Sequence, residues 1–512
     1  MMAACLTGCA LPGGVSWPLN SVEPETASSD GNAQDAQFTS LGLTPDLSYD
    51  KPVMASHVEV DQLGYRRNDR KIAIFRGDVL GESFDVISTD DGRVVFTGEI
   101  ESRTRSGTGE SCFFGDFSEV TGAGTYYVRT DVIGYSYPFS IGDDVYEGLF
   151  DDSLRQYYLN RCGVSLTAEH AGESARSACH ADPVTLQQDA GTSLDVTGGW
   201  HVNAAGDRIV IKGCNAIEAL LMAYEYNTEA FGDDVGIPES GNGIPDILDE
   251  LKVETDWILK MQDQSTGAVY SGVISTDKGL GLDNPVYVAP ADMSTTLGFA
   301  SALGYFSYVY QSVDTGYATT CLQAADRAMK YVAKAPDAVD EDERFRAAAM
   351  LYRATGYQRY KTMIDDYCAE RSSYDIAENE VFAGVITYLA TKQKTDQQVC
   401  AVMMNNLRSY AEDTSSRRKD VLYLLGDNGQ TVEFQSLLSE IARLTVVNYV
   451  ISSNEYETLM EQYLHFVLGC NPGGTCYAGQ YGSVNASDGD PSRDVLRQPE
   501  NNAYFVLLLS GV

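Results

Sequence analysis

The hydrophobic pattern of this 512-residue chain changes period once, near residue 143. Before that point, short apolar runs such as Lys71-Ile72-Ala73-Ile74-Phe75, Ser83-Phe84-Asp85-Val86-Ile87 and Gly124-Thr125-Tyr126-Tyr127-Val128 are separated by Gly and Asp turns. Their length and spacing predict a β-sandwich over 55–142. Beyond it, apolar residues recur at helical intervals. Ile247, Leu251, Ile258 and Met261 fall at i, i+4, i+11 and i+14, on one helix face. Helices are also predicted for Thr295 to Tyr310, Ala318 to Ala335, Arg344 to Ala354, Val381 to Ala390, Val432 to Val450, Glu455 to Leu468 and Asn502 to Leu509. About twelve helices, with no convincing strand and no fixed-period repeat, predict a helical toroid over 144–512. A chain of this length exceeds one ordinary core, which agrees with two folded parts.

The formal net charge is −37, from 73 acidic and 36 basic residues. Such a surface repels phosphate backbones and anionic lipid, which argues against nucleic-acid binding, whereas neutral sugars are not repelled. The 32 Tyr offer faces for stacking and hydroxyls for hydrogen bonds. No apolar run reaches the roughly 18 residues that a membrane-spanning helix needs. Leu6-Thr7-Gly8-Cys9 resembles a bacterial lipobox. This reads 1–9 as a lipoprotein signal remnant with Cys9 as the lipidated residue. Residues 10–54, almost free of basic side chains and rich in small and acidic ones, read as a disordered tether. The folded part is therefore expected outside the cell, held to the membrane only by a lipid anchor.

The 11 cysteines are odd in number and irregularly spaced, unlike a disulfide-stapled mini-domain. Cys162, Cys179, His180 and His201 combine two thiolates with two imidazoles. That is a preferred tetrahedral set for structural zinc, although the spacing is not that of a zinc finger.

The stretch from Gly198-Gly199-Trp200-His201 to Ala205-Gly206-Asp207 resembles the active-site loop of glycoside hydrolase family 9. The likeness continues through Asn242 to Glu250, Asp256 to Gln262, Pro285 to Pro290, Arg346 to Gly356 and Phe466 to Pro472. Val60-Asp61-Gln62-Leu63-Gly64-Tyr65 and Gly134 to Phe139 resemble the immunoglobulin-like module that precedes the barrel in one branch of that family. The resemblance implies an N-terminal immunoglobulin-like β-sandwich followed by an (α/α)6 barrel. It also implies inverting hydrolysis of β-1,4-glucan, zinc on the four residues above, and sugar contacts from Trp200, Tyr287 and Tyr481. A family calcium site is implied as well, without residues to place it on.

Inversion needs one carboxyl group to protonate the leaving oxygen and another to activate water, about 6.5–9.5 Å apart. Aligned without gaps from Trp200, the family's two aspartates fall on Val202 and Ala205. Asp207 is the only carboxylate the loop offers as base. Counting back from Asn502 puts the acid position on Leu496, and the nearest carboxylates are Asp494 and Glu500. Arg346 stands where the family commonly has Trp. Two readings stay open: a hydrolase using Asp207 with Asp494 or Glu500, and a catalytically silent surface protein that binds glucan with the same fold. A scaffold whose sandwich makes protein contacts is a third.

Overall fold

The computed structural model describes residues 56–77, 81–102, 112–369, 371–418, 434–451, 456–471, 473–481 and 495–512. Cys9 and Asp494 lie outside them. The chain divides into two compact units.

The first unit holds the sandwich. One sheet runs in the order β1 (Val58–Glu59), β3 (Ile72–Arg76), β7 (Cys112–Asp116), β6 (Glu101–Ser102). The other runs β2 (Gly64–Tyr65), β10 (Phe139–Ile141), β8 (Gly124–Thr130), β4 (Ser83–Ser88), β5 (Val94–Glu99), with β9 (Gly134–Tyr135) paired to β8. Alternation along β8 turns Tyr126, Val128 and Thr130 inward. They meet Tyr65, Phe75, Phe84, Val86 and Phe139 in one core, apart from the polar Thr130. Gly64 is required where β2 runs parallel to β10. Its φ is +145°, and a Cβ there would lie 2.0 Å from the Ser140 carbonyl oxygen. The same unit takes in the segment from Glu461 onward. The Gln62 amide N–H donates to the Leu468 carbonyl (3.0 Å), and its side chain donates to the Gly474 carbonyl (2.7 Å). Buried Asp61 accepts from His465 Nδ1 at 2.9 Å.

The second unit is the helical toroid. Its long helices are α1 (Glu147–Asn160), α2 (Val210–Tyr226), α3 (Asp246–Lys260), α4 (Met293–Tyr310), α5 (Thr315–Val332), α6 (Glu341–Thr355), α7 (Gln358–Cys368), α8 (Asn379–Ala390), α9 (Gln397–Arg418), α10 (Phe434–Val450) and α12 (Pro499–Gly511). Between the last two, α11 (Glu457–Val467) passes from this unit into the first. The even-numbered helices α2, α4, α6, α8, α10 and α12 form the inner ring. α2 packs on α4, α4 on α6, α6 on α8, α10 on α12, and α12 back on α2. Arg443 of α10, donating to Oδ1 of Asn379 on α8, closes the gap. Outer α5 and α7 pack on α4 and α6. Mean burial is high on these inner helices because their sequences are apolar nearly all round, as in the α4 stretch Leu297 to Phe306.

All six inner helices point the same way. First-turn or second-turn residues meet one another: Lys212 and Asn215 of α2 with Glu500 of α12, and Asn215 with Arg346 of α6. At the opposite end, Glu225 of α2 binds Arg353 of α6, and Tyr226 stacks on Tyr449 of α10. One feature departs from the sequence expectation. A five-stranded sheet lies within the helical region, in the order β12 (Asp189–Leu194), β11 (Val184–Leu186), β15 (Val286–Val288), β14 (Gly272–Ser275), β13 (Arg208–Ile209). These strands are short, and β12 is largely exposed and polar, so no alternating apolar pattern marks them.

Candidate active site and metal cluster

The end of the second unit where the inner helices begin carries two neighbouring constructions. The first is built from three chain segments. Residues just after α1 pair antiparallel with the Trp200 segment: the Cys162 amide donates to the Gly199 carbonyl (2.8 Å), and the His201 amide to the Asn160 carbonyl (2.9 Å). This sets Cys162 beside His201. The Gly163 amide donates to the Cys179 carbonyl (3.0 Å) and brings in the third segment. His180 adopts φ +46°, the one non-glycine positive φ among the described residues. That strain turns its ring toward the cysteines.

The ligating atoms of Cys162, Cys179, His180 and His201 all lie within 4.8 Å of one another. The two sulfurs are 3.8 Å apart, Cys162 Sγ is 3.7 Å from His180 Nδ1, and Cys179 Sγ is 3.5 Å from His201 Nε2. His180 Nε2 sits 3.2 Å from the Asn284 carbonyl oxygen, a contact that fixes Nδ1 as the free acceptor. Arg176 donates to Cys179 Sγ at 3.2 Å. The Cys179 thiol is held down by its hydrogen bond with Cys162 and then by those with His180 and His201, against the effect of burial. Burial holds His201 toward its neutral form. A thiolate and neutral imidazoles are the protonation states that bind a metal. Arg176 and Asn284 carry no sequence signal for this role.

The second construction is the loop from Asn203 to Asp207. Asn203 Oδ1 accepts from the Ala205 and Asp207 amides (3.0 and 3.2 Å), and the Val202 amide donates to the Asp207 carbonyl (2.8 Å). Gly206, at φ +78°, is the close-packed point, since a Cβ there would sit 2.6 Å from His180 Cε1. The loop therefore rests on one of the four clustered ligands. Asp207 is 2% exposed and directly precedes β13 and α2. Its Oδ1 accepts from the Ser275 amide of β14 (2.7 Å) and its Oδ2 from Asn203 Nδ2 (2.9 Å). Tyr287, half-buried on β15, lies opposite Ile274 of β14, and β14 separates it from β13, which Asp207 precedes. Tyr481 is half-buried in a short 3-10 turn of the first unit.

Trp200 corrects the expectation of a sugar platform. Its ring is 1% exposed and packs against Tyr157 with centroids 4.7 Å apart, so it presents no face to a ligand. Its backbone N–H donates to Glu254 of α3 at 2.7 Å. Burial raises Glu254 to a pKa of about 8. Glu250, one turn earlier, receives Arg161 at 2.7 and 3.1 Å and is raised by burial to about 7. The acidic face of α3 thus braces the cluster from behind.

Glu500, in the first turn of α12, is 6% exposed. It accepts from Asn215 Nδ2 (2.7 Å), from Gln435 Nε2 (3.4 Å) and from the Lys212 ammonium. Arg346 is buried as well, and donates to Glu218 at 2.9 Å and to Asn215 at 2.8 Å. An ion pair fills the place where the family commonly has Trp.

Comparison with known proteins gives this geometry its lineage. Residues 146–488 match the profile of Glycosyl hydrolase family 9, and residues 54–134 match the Cellulase N-terminal ig-like domain. Endoglucanase D of Acetivibrio thermocellus is 26% identical over 476 residues, spanning 85% of this chain and 74% of that one. A xyloglucan-specific endo-beta-1,4-glucanase of Bacteroides ovatus is 24% identical over 471 residues, spanning 82% and 80%. Among solved structures, a metagenome-derived glycoside hydrolase family 9 endoglucanase superposes with a TM-score of 0.76 at 23% identity, covering 88% of this chain and 98% of that one. With a profile match over well more than half its length on a six-hairpin barrel preceded by a sandwich, the chain belongs to glycosyl hydrolase family 9.

Proposed function

We propose that the protein acts on β-1,4-glucan at the barrel end where the inner helices begin, by inverting hydrolysis with Asp207 as general base. One observation carries this reading. Asp207 is the carboxylate of the Trp200 loop, fixed immediately before an inner helix and braced from below by the Cys–His cluster. In the reaction Asp207 takes a proton from a water whose oxygen attacks the anomeric carbon. The bond from that carbon to the leaving oxygen breaks, and a second carboxyl group delivers a proton to it. Asp494 and Glu500 are the two candidates for that second group. Three N–H donors already occupy the Glu500 oxygens, and we assign the acid role to Asp494.

We also propose that the four-ligand cluster holds zinc. Zinc–sulfur bonds of about 2.3 Å and zinc–nitrogen bonds of about 2.0 Å give tetrahedral edges of about 3.8 Å between sulfurs and about 3.5 Å from sulfur to nitrogen. The contacts of 3.8, 3.7 and 3.5 Å fit those edges. Zinc bound by four protein ligands has no open position, so it would support the Asp207 loop and leave the proton transfers to carboxylates. Cys9 would anchor the protein at the cell surface, which labelled-lipid incorporation lost in Cys9→Ser would check.

A silent glucan-binding protein is the competing reading, favoured by Val202 and Ala205 at the ungapped aspartate positions. Reducing-sugar release from soluble cellulose, measured beside calorimetric binding of cello-oligosaccharides, separates the two. Release that disappears in Asp207→Asn supports hydrolysis. Binding without release supports the silent protein, and neither signal removes both.

A further inference from the structure

Between the inner helices is a cavity of about 50 Å³ whose polar lining includes Arg346, Arg443, Asn215, Asn379 and Tyr504, with one carboxylate, Glu218, which is paired to Arg346, and an apolar floor. The two arginines differ in their charge partners. Arg346 has Glu218 at 2.9 Å and Glu380 at 3.7 Å. Arg443, 8% exposed, donates to Tyr410 Oη (3.1 Å), Ser439 Oγ (3.4 Å) and Asn379 Oδ1, all neutral. Among the described residues no carboxylate lies within ion-pair distance of it. Buried cations are normally paired, because an enclosed charge without a counter-charge is costly. A guanidinium has five N–H donors, and these three bonds leave two of them for an acceptor in the cavity. The first turns of α8 and α10 also aim their positive ends at this level of the barrel. The neighbouring end of α12 already holds one anion, the Glu500 carboxylate.

We propose that Arg443 and Arg346 bind a small monovalent anion, of chloride size, in the axis of the barrel. The cavity has room for an ion or a few waters but not for a sugar ring. Asp207 is not among the residues that line it, and a bound anion would tie α6, α8 and α10 together through one shared acceptor.

The test uses the full chain. Thermal unfolding is followed as chloride replaces isethionate, an anion too large for the cavity, at constant ionic strength. A saturating rise in Tm with chloride is expected. It should vanish in Arg443→Gln and persist in the surface control Arg359→Gln. Equal Tm values in the two salts, or an undiminished response in Arg443→Gln, would overturn the proposal. Should Arg443→Gln fail to fold, crystals of the unaltered protein grown with bromide decide the matter. An anomalous peak beside the Arg443 guanidinium supports the site, and water density there with no peak rejects it.

Discussion

Glu254 shows how a single enclosed residue ties stability to pH. It lies at the back of the Trp200 strand, fully enclosed, with a folded-state pKa raised by burial from 4.5 to about 8. Between those two values the folded chain holds a proton that the unfolded chain has lost. The stability this contributes is complete below about pH 4.5 and disappears as pH rises toward 8. Glu254→Gln removes its share of the dependence, leaving that of Glu250. Melting temperatures at about pH 5 and about pH 8 should therefore differ less in the variant than in the parent, and equal differences would show that burial is not acting on this carboxyl group. Asp207 belongs to the same scale. Asp207→Asn keeps an acceptor for the Ser275 amide but cannot take a proton. Hydrolysis should fall by about 10² to 10⁴-fold with cello-oligosaccharide binding retained, as assayed by initial rates and calorimetry. Both residues stand in sequence stretches that could be read. The part each plays could not, because the Trp200 N–H on Glu254 and the Ser275 N–H on Asp207 come from segments 54 and 68 residues away.

At the scale of elements, the metal cluster and helix α2 depend on close fit. Removing the metal with a strong chelator should lower Tm and loosen the 199–207 loop, detected as faster amide exchange there, with one zinc per chain found by elemental analysis beforehand. An unchanged Tm counts against a structural metal. On α2, Gly213 is helical, but a Cβ would come within 2.2 Å of Glu254 Oε1, which the Trp200 amide and close packing hold still. Gly213→Ala gains helix propensity yet should lose about 1–3 kcal/mol, measurable by urea unfolding. Eight of the long helices were legible by range, since a 3.6-residue apolar period repeated over three or four turns is a strong signal, whereas α1, α2, α7 and α9 were not placed individually. The sheet from β11 to β15 was not. Its strands are two to six residues long, and β12 turns mostly polar side chains outward. The Cys–His set was legible as chemistry, but its assembly depends on the strained His180 backbone, which composition does not announce.

On the scale of the whole molecule, the division of the chain into compact units does not follow the change of period at residue 143. The sandwich shares its unit with the segment from Glu461 onward, through Gln62 to Leu468 and Gly474, and through Asp61 to His465. Deleting residues 56–142 should therefore expose buried Leu464, His465 and Leu468 and not simply remove a detachable module. A lower Tm with increased binding of a hydrophobic dye is expected, and a truncated protein as stable as the full chain would contradict this. The Asp61–His465 pair has a further consequence for how the protein is made. Its partners are 404 residues apart. At synthesis rates of about 5–20 residues per second, the ribosome delivers His465 roughly 20 to 80 s after Asp61. The sandwich is thus completed only after the helices that follow it in sequence, and until His465 arrives the nascent sandwich waits with Asp61 uncovered.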